Sequence, residues 1–446
     1  MPMNDLVIVI CNWNKRDDLI KCLDSVALAT SSKTEVIVVD NASSDGSVEM
    51  LESYRVRPIR LIKNKENLGG TGGFNTGLRE ALSGKYKYVH LLDNDVIVDE
   101  NTFRNSYDLL ENEPSIGAVG SKLYQLDAPK KLQEMGAQID WTSYQVKPLH
   151  SGIPDSTSLP ELVESDYVPA CSVMIRMERI RNAGLMDQAC FLYWDDIEWF
   201  DRIRQDGHRV VAYERSKAWH KMGVKKKTNT LGTYYFQRNR IGFFATRTDE
   251  NEIDQCIKTI FEDLFQSYYF SRLEGKFNTA KTILRAARDA LNQIRGKAPH
   301  GRIEQCEDNC SKFVSWVSDQ TSISLVDECN VKTKSVVIET IQMANPKVRI
   351  HEKDQRQPSS ADSSLDRKPS QRCHIVNHVV DLIDKQISPE VCYVDRFLNS
   401  IITEQDRKLL SLYSSRLRHA QEKFIPKIKL KVADLRSNRL TEKAQS

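Results

Sequence analysis

The sequence predicts an α/β fold built on a mixed, mostly parallel, doubly wound sheet, followed by a mainly helical C-terminal region. Three observations carry that expectation. Over the first 100 residues short apolar runs alternate with helical patterns, each run ends in Asn or Asp, and beyond residue 245 the runs give way to long amphipathic stretches. Strand, helix, strand at this spacing is the signature of parallel βαβ units. "LVIVICN" at 6–12 reads as the first strand, and "KRDDLIKCLDSVALAT" as a helix with Leu19, Cys22, Leu23 and Val26 on one face. "TEVIVVDNAS" supplies the second strand, "DGSVEMLESY" a helix opened by Asp45, "IRLIKN" the third strand, "FNTGLREAL" a helix, and "YKYVHLLD" the fourth strand.

The C-terminal half reads differently. Apolar residues at 253, 257, 260, 261, 264, 265 and 268 keep a helical period, and a second set at 280, 283, 284, 287, 291 and 294 repeats it before Gly296. Lys281, Arg285, Arg288 and Arg295 make the second helix basic on its other face. Such faces more often clothe a bundle than lie on an anionic membrane. "VVIETIQ" and "KVRIHEK" read as strands, and the polar stretch 352–372, bearing Ser and Pro, reads as a flexible linker. The expected division is a catalytic-type α/β domain over 1–245, a helical extension over 246–300, a small mixed segment over 301–351, the linker, and a helical region over 373–446.

Composition narrows the function. The 64 Lys and Arg residues against 61 Asp and Glu give a net charge of +3, which argues against a nucleic-acid partner. The first apolar run is far shorter than a signal sequence or a membrane span, and no later one reaches ~18 residues. A cytoplasmic protein is expected, at most peripheral at the inner face of the cell membrane. The ten cysteines are scattered without a CxxC pair, and the single close pair, Cys306 and Cys310, is weak evidence for zinc. Reduced thiols are expected.

In open α/β sheets ligands bind beyond the carboxyl ends of the strands. That rule brings Asn12 and Trp13, Asp40 and Asn41, Asn64 and Asn67, and Asp93, Asn94 and Asp95 to one crevice. Each alone reads as a turn or cap residue; the set does not. The cluster "NKENLGGTGGFNTG" lacks the Gly-Lys-Ser/Thr of a P-loop and the G-x-G-x-x-G of a dinucleotide site. Its glycines suit a backbone that passes close to a ligand. The pair Asp93 and Asp95 supplies hard oxygen ligands for Mg²⁺ or Mn²⁺, and a cation so held commonly binds substrate phosphates. In "FLYWDDIEWFDRIR", Asp195, Asp196 and Glu198 stand between Trp194 and Trp199 at the start of a helix. Carboxylates beside indoles should have raised pKa values, as a general base requires, although acidic residues also favour a first helical turn. "RVVAYERSKAWH" reads as a strand ending in His220, at a place suited to a third metal ligand.

Taken together and in this order, these motifs resemble glycosyltransferase family 2 enzymes of the GT-A fold. The likeness runs over roughly 4–245 and is nearest to the rhamnosyl- and galactofuranosyltransferases that build bacterial surface polysaccharides. It implies a metal-dependent, inverting transfer of a sugar from a nucleotide-diphosphate sugar to a glycan or polyprenyl-linked acceptor. By the resemblance, Asn12, Trp13 and Asp40 hold the nucleoside. Asn67, Gly69, Gly70, Gly73, Asn75 and Asn94 line the donor sugar and diphosphate. Asp93, Asp95 and His220 match the metal ligands, with Mn²⁺ or Mg²⁺ as cofactor. Asp196 matches the catalytic base with Asp195 beside it, and Trp194 and Glu198 shape the acceptor pocket. Against a sugar nucleotidyltransferase stands "CNWNKRDD", where such enzymes carry a Gly- and Arg-rich loop. An inactive sugar-nucleotide-binding protein on the same fold is the main alternative.

Overall fold

The computed structural model describes residues 3–205, 207–221, 230–305, 312–327, 329, 331–352, 371–383 and 385–445. The chain forms two compact units, one of residues 1–256, 285–303 and 431–446, the other of 257–284 and 304–430.

The first unit begins β1 (Leu6–Asn12), α1 (Arg16–Ala29), β2 (Glu35–Asp40), α2 (Ser47–Ser53), β3 (Arg60–Lys63), α3 (Gly69–Ser83) and β4 (Tyr88–Asp93). It continues β5 (Val96–Val98), α4 (Thr102–Asn112), β6 (Ile116–Gln125), β7 (Ala128–Glu134), β8 (Ala137–Asp140), β9 (Gln145–Pro148), β10 (Leu162–Glu164) and β11 (Ser172–Arg176). Then come α5 (Met177–Ala183), α6 (Asp195–Arg204), β12 (Arg209–His220) and α7 (Thr230–Arg247). The main sheet runs β10-β12-β6-β11-β4-β1-β2-β3, with β5 paired to β12 and β7 to β6. β1 to β4 are mutually parallel, and β11 is antiparallel to both neighbours. This is the mixed, mostly parallel sheet expected from the sequence. Leu19, Cys22, Leu23 and Val26 of α1 are fully buried against it, as their spacing requires.

Register positions the crevice. Asn12 lies opposite Asp40 and Cys11 opposite Asp93, so the polar ends of β1, β2 and β4 come level. β5 then pairs with the end of β12, Val96 opposite His220, which seats the histidine beside the turn Asp93 to Asp95.

The long elements α8 (Ile253–Leu273), α9 (Phe277–Leu291) and, at the C-terminus, α13 (Tyr413–Gln445) bear out the helical reading of those stretches. The second unit also carries α10 (Lys312–Ser318), β13 (Ser322–Asp327), α11 (Val331–Ala344), β14 (Arg349–Glu352), β15 (Gln371–Ile375), β16 (Val391–Val394), β17 (Ser400–Ile401) and α12 (Glu404–Ser411). Its sheet runs β14-β13-β15-β16-β17, parallel except for β17. Strands from 322–352 and from 371–401 therefore share one sheet and one core, with Ile323, Leu325, Ile375 and Val394 buried together. The segments read separately as 301–351 and 373–446 are joined, because "QRCHI" and "VCYV" are too short for periodicity to announce. "VVIETIQ" is helix where a strand was expected: Thr333, Val337, Thr340 and Ile341 are buried at helical spacing. Most of the expected linker, 353–370, and the pair Cys306 and Cys310 lie outside the described residues. No helix among the described residues is long and apolar enough to cross a membrane.

Candidate active site

Asp93 ends β4, and after one turn Asp95 precedes β5. A carboxylate oxygen from each and an imidazole nitrogen of His220 lie within 4.8 Å of one another. Lys15 Nζ stands 2.6 Å from Asp95 Oδ2, and His220 Nε2 stands 3.3 Å from Asp95 Oδ1. On its far side, the His220 ring meets Gln133 Oε1 through Nδ1 at 3.0 Å, while the Gln133 amide nitrogen donates to Glu134 Oε1 at 3.1 Å. Gln133 therefore accepts the Nδ1 proton. Nε2 is left facing a carboxylate oxygen, an arrangement that needs a proton or a cation between them.

Charge in this pocket is poorly compensated. Burial, and then the Asp95 carboxylate, raise the Asp93 carboxyl to about 6. Burial also works against ionised Asp95, but hydrogen bonds from His220 and Lys15 keep its pKa below the usual value. For His220 burial opposes the imidazolium, and the Asp95 bond with the Asp93, Asp95 and Glu134 charges overcomes it, so its pKa is raised. Hard oxygens plus one imidazole fit Mg²⁺ or Mn²⁺.

Asp196 reaches the same place by a short backbone bridge. The Asp93 N–H donates to Cys171 O at 3.0 Å, and the next residue back, Ala170, donates its N–H to Asp196 Oδ2 at 3.4 Å. Two residues of chain thus separate the ends of the metal-type cluster and the candidate base. Burial pushes up the Cys171 thiol, and the charges of Asp93, Glu134, Asp95 and Asp196 push it further. Burial, followed by the neighbouring Asp195 charge, raises Asp196 to about 8. Burial raises Asp195 as well, against a 2.8 Å hydrogen bond from Thr71 Oγ1.

The loop before α6 is conformationally costly. Phe191, Tyr193 and Trp194 all have positive φ, at 65°, 61° and 67°, a region such residues avoid. Asn239 of α7 holds the loop by donating to the carbonyls of Cys190, Leu192 and Tyr193 at 2.9, 3.0 and 2.9 Å. Arg238 donates to Ala189 O and Cys190 O beside it.

On the other side of the crevice Asn12 Nδ2 donates to Asp40 Oδ1 at 3.1 Å, and Asn12 Oδ1 accepts from Asn94 Nδ2 at 2.7 Å. Asn41 bonds Asn64, Asn67, Leu68 and Gly69, tying the three strand ends together. Trp13 is 47% exposed here, a free aromatic face. The glycine cluster is not a loop: α3 starts at Gly69, five residues before the expected helix. At Gly73 a Cβ would stand 2.1 Å from Cys11 Sγ, and at Gly69, with φ +76°, 2.0 Å from Phe191 O. These glycines let α3 press onto β1 and the 191 loop. Gly70 is the open one, with only Leu192 Cδ1 at 3.8 Å.

Three expected contacts need correction. Asn75, expected along the donor, has both ends of its amide engaged by Met186 N and O. Trp194, expected at the acceptor, is 1% exposed among Phe236, Phe243 and Phe244. Glu198, expected beside it, accepts from Arg202 and Arg247 through both oxygens. Sequence reasoning missed Lys15, Gln133, Glu134, Arg238 and Asn239. Of these, only Lys15, in the segment after β1, lay where the crevice rule pointed.

A model of the family described as "Glycosyl transferase family 2" matches residues 7–158. The likeness to that family covers about a third of the chain. Within that span lie β1 to β4, Asp93 and Asp95, but neither Asp196 nor His220. The low-salt glycan biosynthesis hexosyltransferase Agl10 of Haloferax volcanii is 23% identical over 279 residues, 61% of this chain and 85% of that one. The galactofuranosyltransferase GlfT2 of Mycolicibacterium smegmatis is 24% identical over 272 residues, 55% of this chain but only 41% of the relative. Among solved structures, GalNAc-T7 with UDP, GalNAc and Mn²⁺ aligns at 15% identity and TM-score 0.44, over 65% of this chain and 56% of that one.

Proposed function

We propose that this family 2 domain transfers a hexose, with galactofuranose preferred over rhamnose, from a nucleoside-diphosphate sugar to a hydroxyl of a glycan or polyprenyl-linked acceptor, inverting the anomeric centre. The named activities of the two relatives support a hexose donor, and the galactofuranosyltransferase supports the preference. The observation that carries the reading is the two-residue bridge from Asp93 through Cys171 and Ala170 to Asp196. It sets a buried, proton-ready carboxylate beside a cluster suited to holding a diphosphate-bound cation.

In this reading Asn12 and Asp40 hold the nucleoside, with Trp13 stacked on the base. Asp93, Asp95 and His220 would hold Mn²⁺ or Mg²⁺, which supplies charge stabilisation for a departing diphosphate. Lys15, already at Asp95, adds a cation to the same wall. Asp196 Oδ2 accepts the proton of the attacking hydroxyl. Burial, reinforced by the charge of Asp195 held by Thr71, keeps the Asp196 pKa high enough for that task. Gln133 fixes the His220 ring, and Arg238 and Asn239 fix the strained loop that delivers both aspartates.

The test is to incubate the purified protein with a panel of UDP- and dTDP-sugars and Mn²⁺ or Mg²⁺, and to measure nucleoside diphosphate release. Release from UDP-galactofuranose above the other donors is expected. Release from no donor, with or without an acceptor panel, overturns the proposal in favour of an inactive sugar-nucleotide-binding domain.

A further inference from the structure

Trp194 and Glu198, which flank the two aspartates in the chain, line a second cavity of about 480 Å³. None of Asp93, Asp95, Asp196 or His220 reaches it. Its walls come from α6, α7, the segment following α9 and the last turns of α13, all in the first unit. Four guanidinium groups line it, from Arg238, Arg247, Arg295 and Arg439, against the two carboxylates of Asp187 and Glu198.

Those carboxylates are already engaged. Arg247 takes Glu198 at 2.7 Å and Asp201 at 2.5 Å, and Arg295 takes Asp187. Arg238 is 2% exposed and gives its hydrogen bonds to backbone carbonyls and to Asn239. Arg439 meets the Thr246 hydroxyl, and among the described residues no carboxylate pairs with it. Burial lowers the Arg439 pKa, and the neighbouring Arg247 and Arg295 lower it further, while Glu198 and Asp201 offset this in part. Cations gathered in a half-buried cavity lack the charge that would make them cheap to desolvate. An anion removes that deficit. Guanidinium forks match the paired oxygens of a phosphate, and the volume exceeds that of a bare ion, with Phe243, Ile294 and Leu435 giving an apolar wall.

We infer that this cavity binds a phosphate-bearing ligand, through Arg439 and Arg295 with Arg247 behind them, separately from the sugar-nucleotide crevice. Two sources share that chemistry: free phosphate, and the phosphate terminus of a larger molecule. Calorimetric titration of the full chain in excess EDTA, with inorganic phosphate and with glycerol phosphate as probes, distinguishes them. Binding of both assigns the cavity to a phosphate terminus, and binding of inorganic phosphate alone assigns it to the free ion. In either case Arg439→Gln and Arg295→Gln should each weaken binding at least tenfold, while Asp93→Asn leaves it unchanged. The Arg295 side chain is 54% exposed, so that variant keeps the test available should Arg439→Gln fold poorly. No heat from either probe at millimolar concentration, affinity that survives both arginine substitutions, or affinity lost in Asp93→Asn overturns the inference.

Discussion

If Asp196 is the base, its protonation should govern turnover, and the size of the effect follows from its surroundings. The carboxyl is raised to about 8, so roughly 10% is ionised at pH 7 and about 1% at pH 6. With donor and metal saturating and acceptor limiting, kcat/KM should climb about tenfold from pH 6 to 7, rise again by nearly as much above pH 7, and level off past pH 9. Asp196→Asn should lower kcat by ~10²- to 10⁴-fold and abolish the climb. Asp195→Asn removes the neighbouring charge while keeping an oxygen for Thr71, so its limb should move to lower pH. A profile flat between pH 6 and 9, or one unchanged in Asp196→Asn, refutes the assignment. The sign for stability is opposite. The folded pKa of Asp196 lies above that of an unfolded aspartate, ~3.9, so its stabilising contribution is complete below that value and is lost as pH rises through about 8. Unfolding midpoints of wild type and Asp196→Asn should therefore diverge in that window.

Mn²⁺ binding, followed by calorimetry in buffers of different ionisation enthalpy, should release protons and strengthen as pH rises through about 6, where Asp93 ionises. Affinity independent of pH between 5 and 7 would count against Asp93 as a ligand. Gln133→Leu frees the His220 ring and should weaken metal affinity by about 10- to 100-fold, the usual cost of losing such a partner. An unchanged affinity would reduce Gln133 to packing. Gly73→Ala forces a Cβ to 2.1 Å from Cys11 Sγ and should destabilise by about 1–3 kcal/mol in urea unfolding. Gly70→Ala meets only Leu192 Cδ1 at 3.8 Å and should be neutral or stabilising by up to ~1 kcal/mol, through helix propensity.

What could be read from the sequence and what could not divide along a physical line. Elements whose burial repeats at a fixed period announced themselves: β1, β2 and β4 are continuous apolar runs between helices, and α1 buries the four side chains its spacing selects. Residues at strand ends were legible too, because parallel topology sends all of those ends to one side. That is how Asp93, Asp95 and His220 could be brought together from positions more than a hundred residues apart. The failures have the converse cause. Asn75, Trp194 and Glu198 sit in motifs that point at the crevice, but each is claimed by a partner with no signature: the Met186 backbone, the phenylalanines of α7, and Arg247. The residues missed act through others. Gln133 orients a histidine from β7, a strand paired with β6 and not with β12, and Asn239 clamps three carbonyls of a strained loop from a helix beyond the family match. Catalytic geometry of this kind is held by contacts across the chain. A reading limited to motifs therefore finds the atoms that would touch substrate and passes over those that hold them in place.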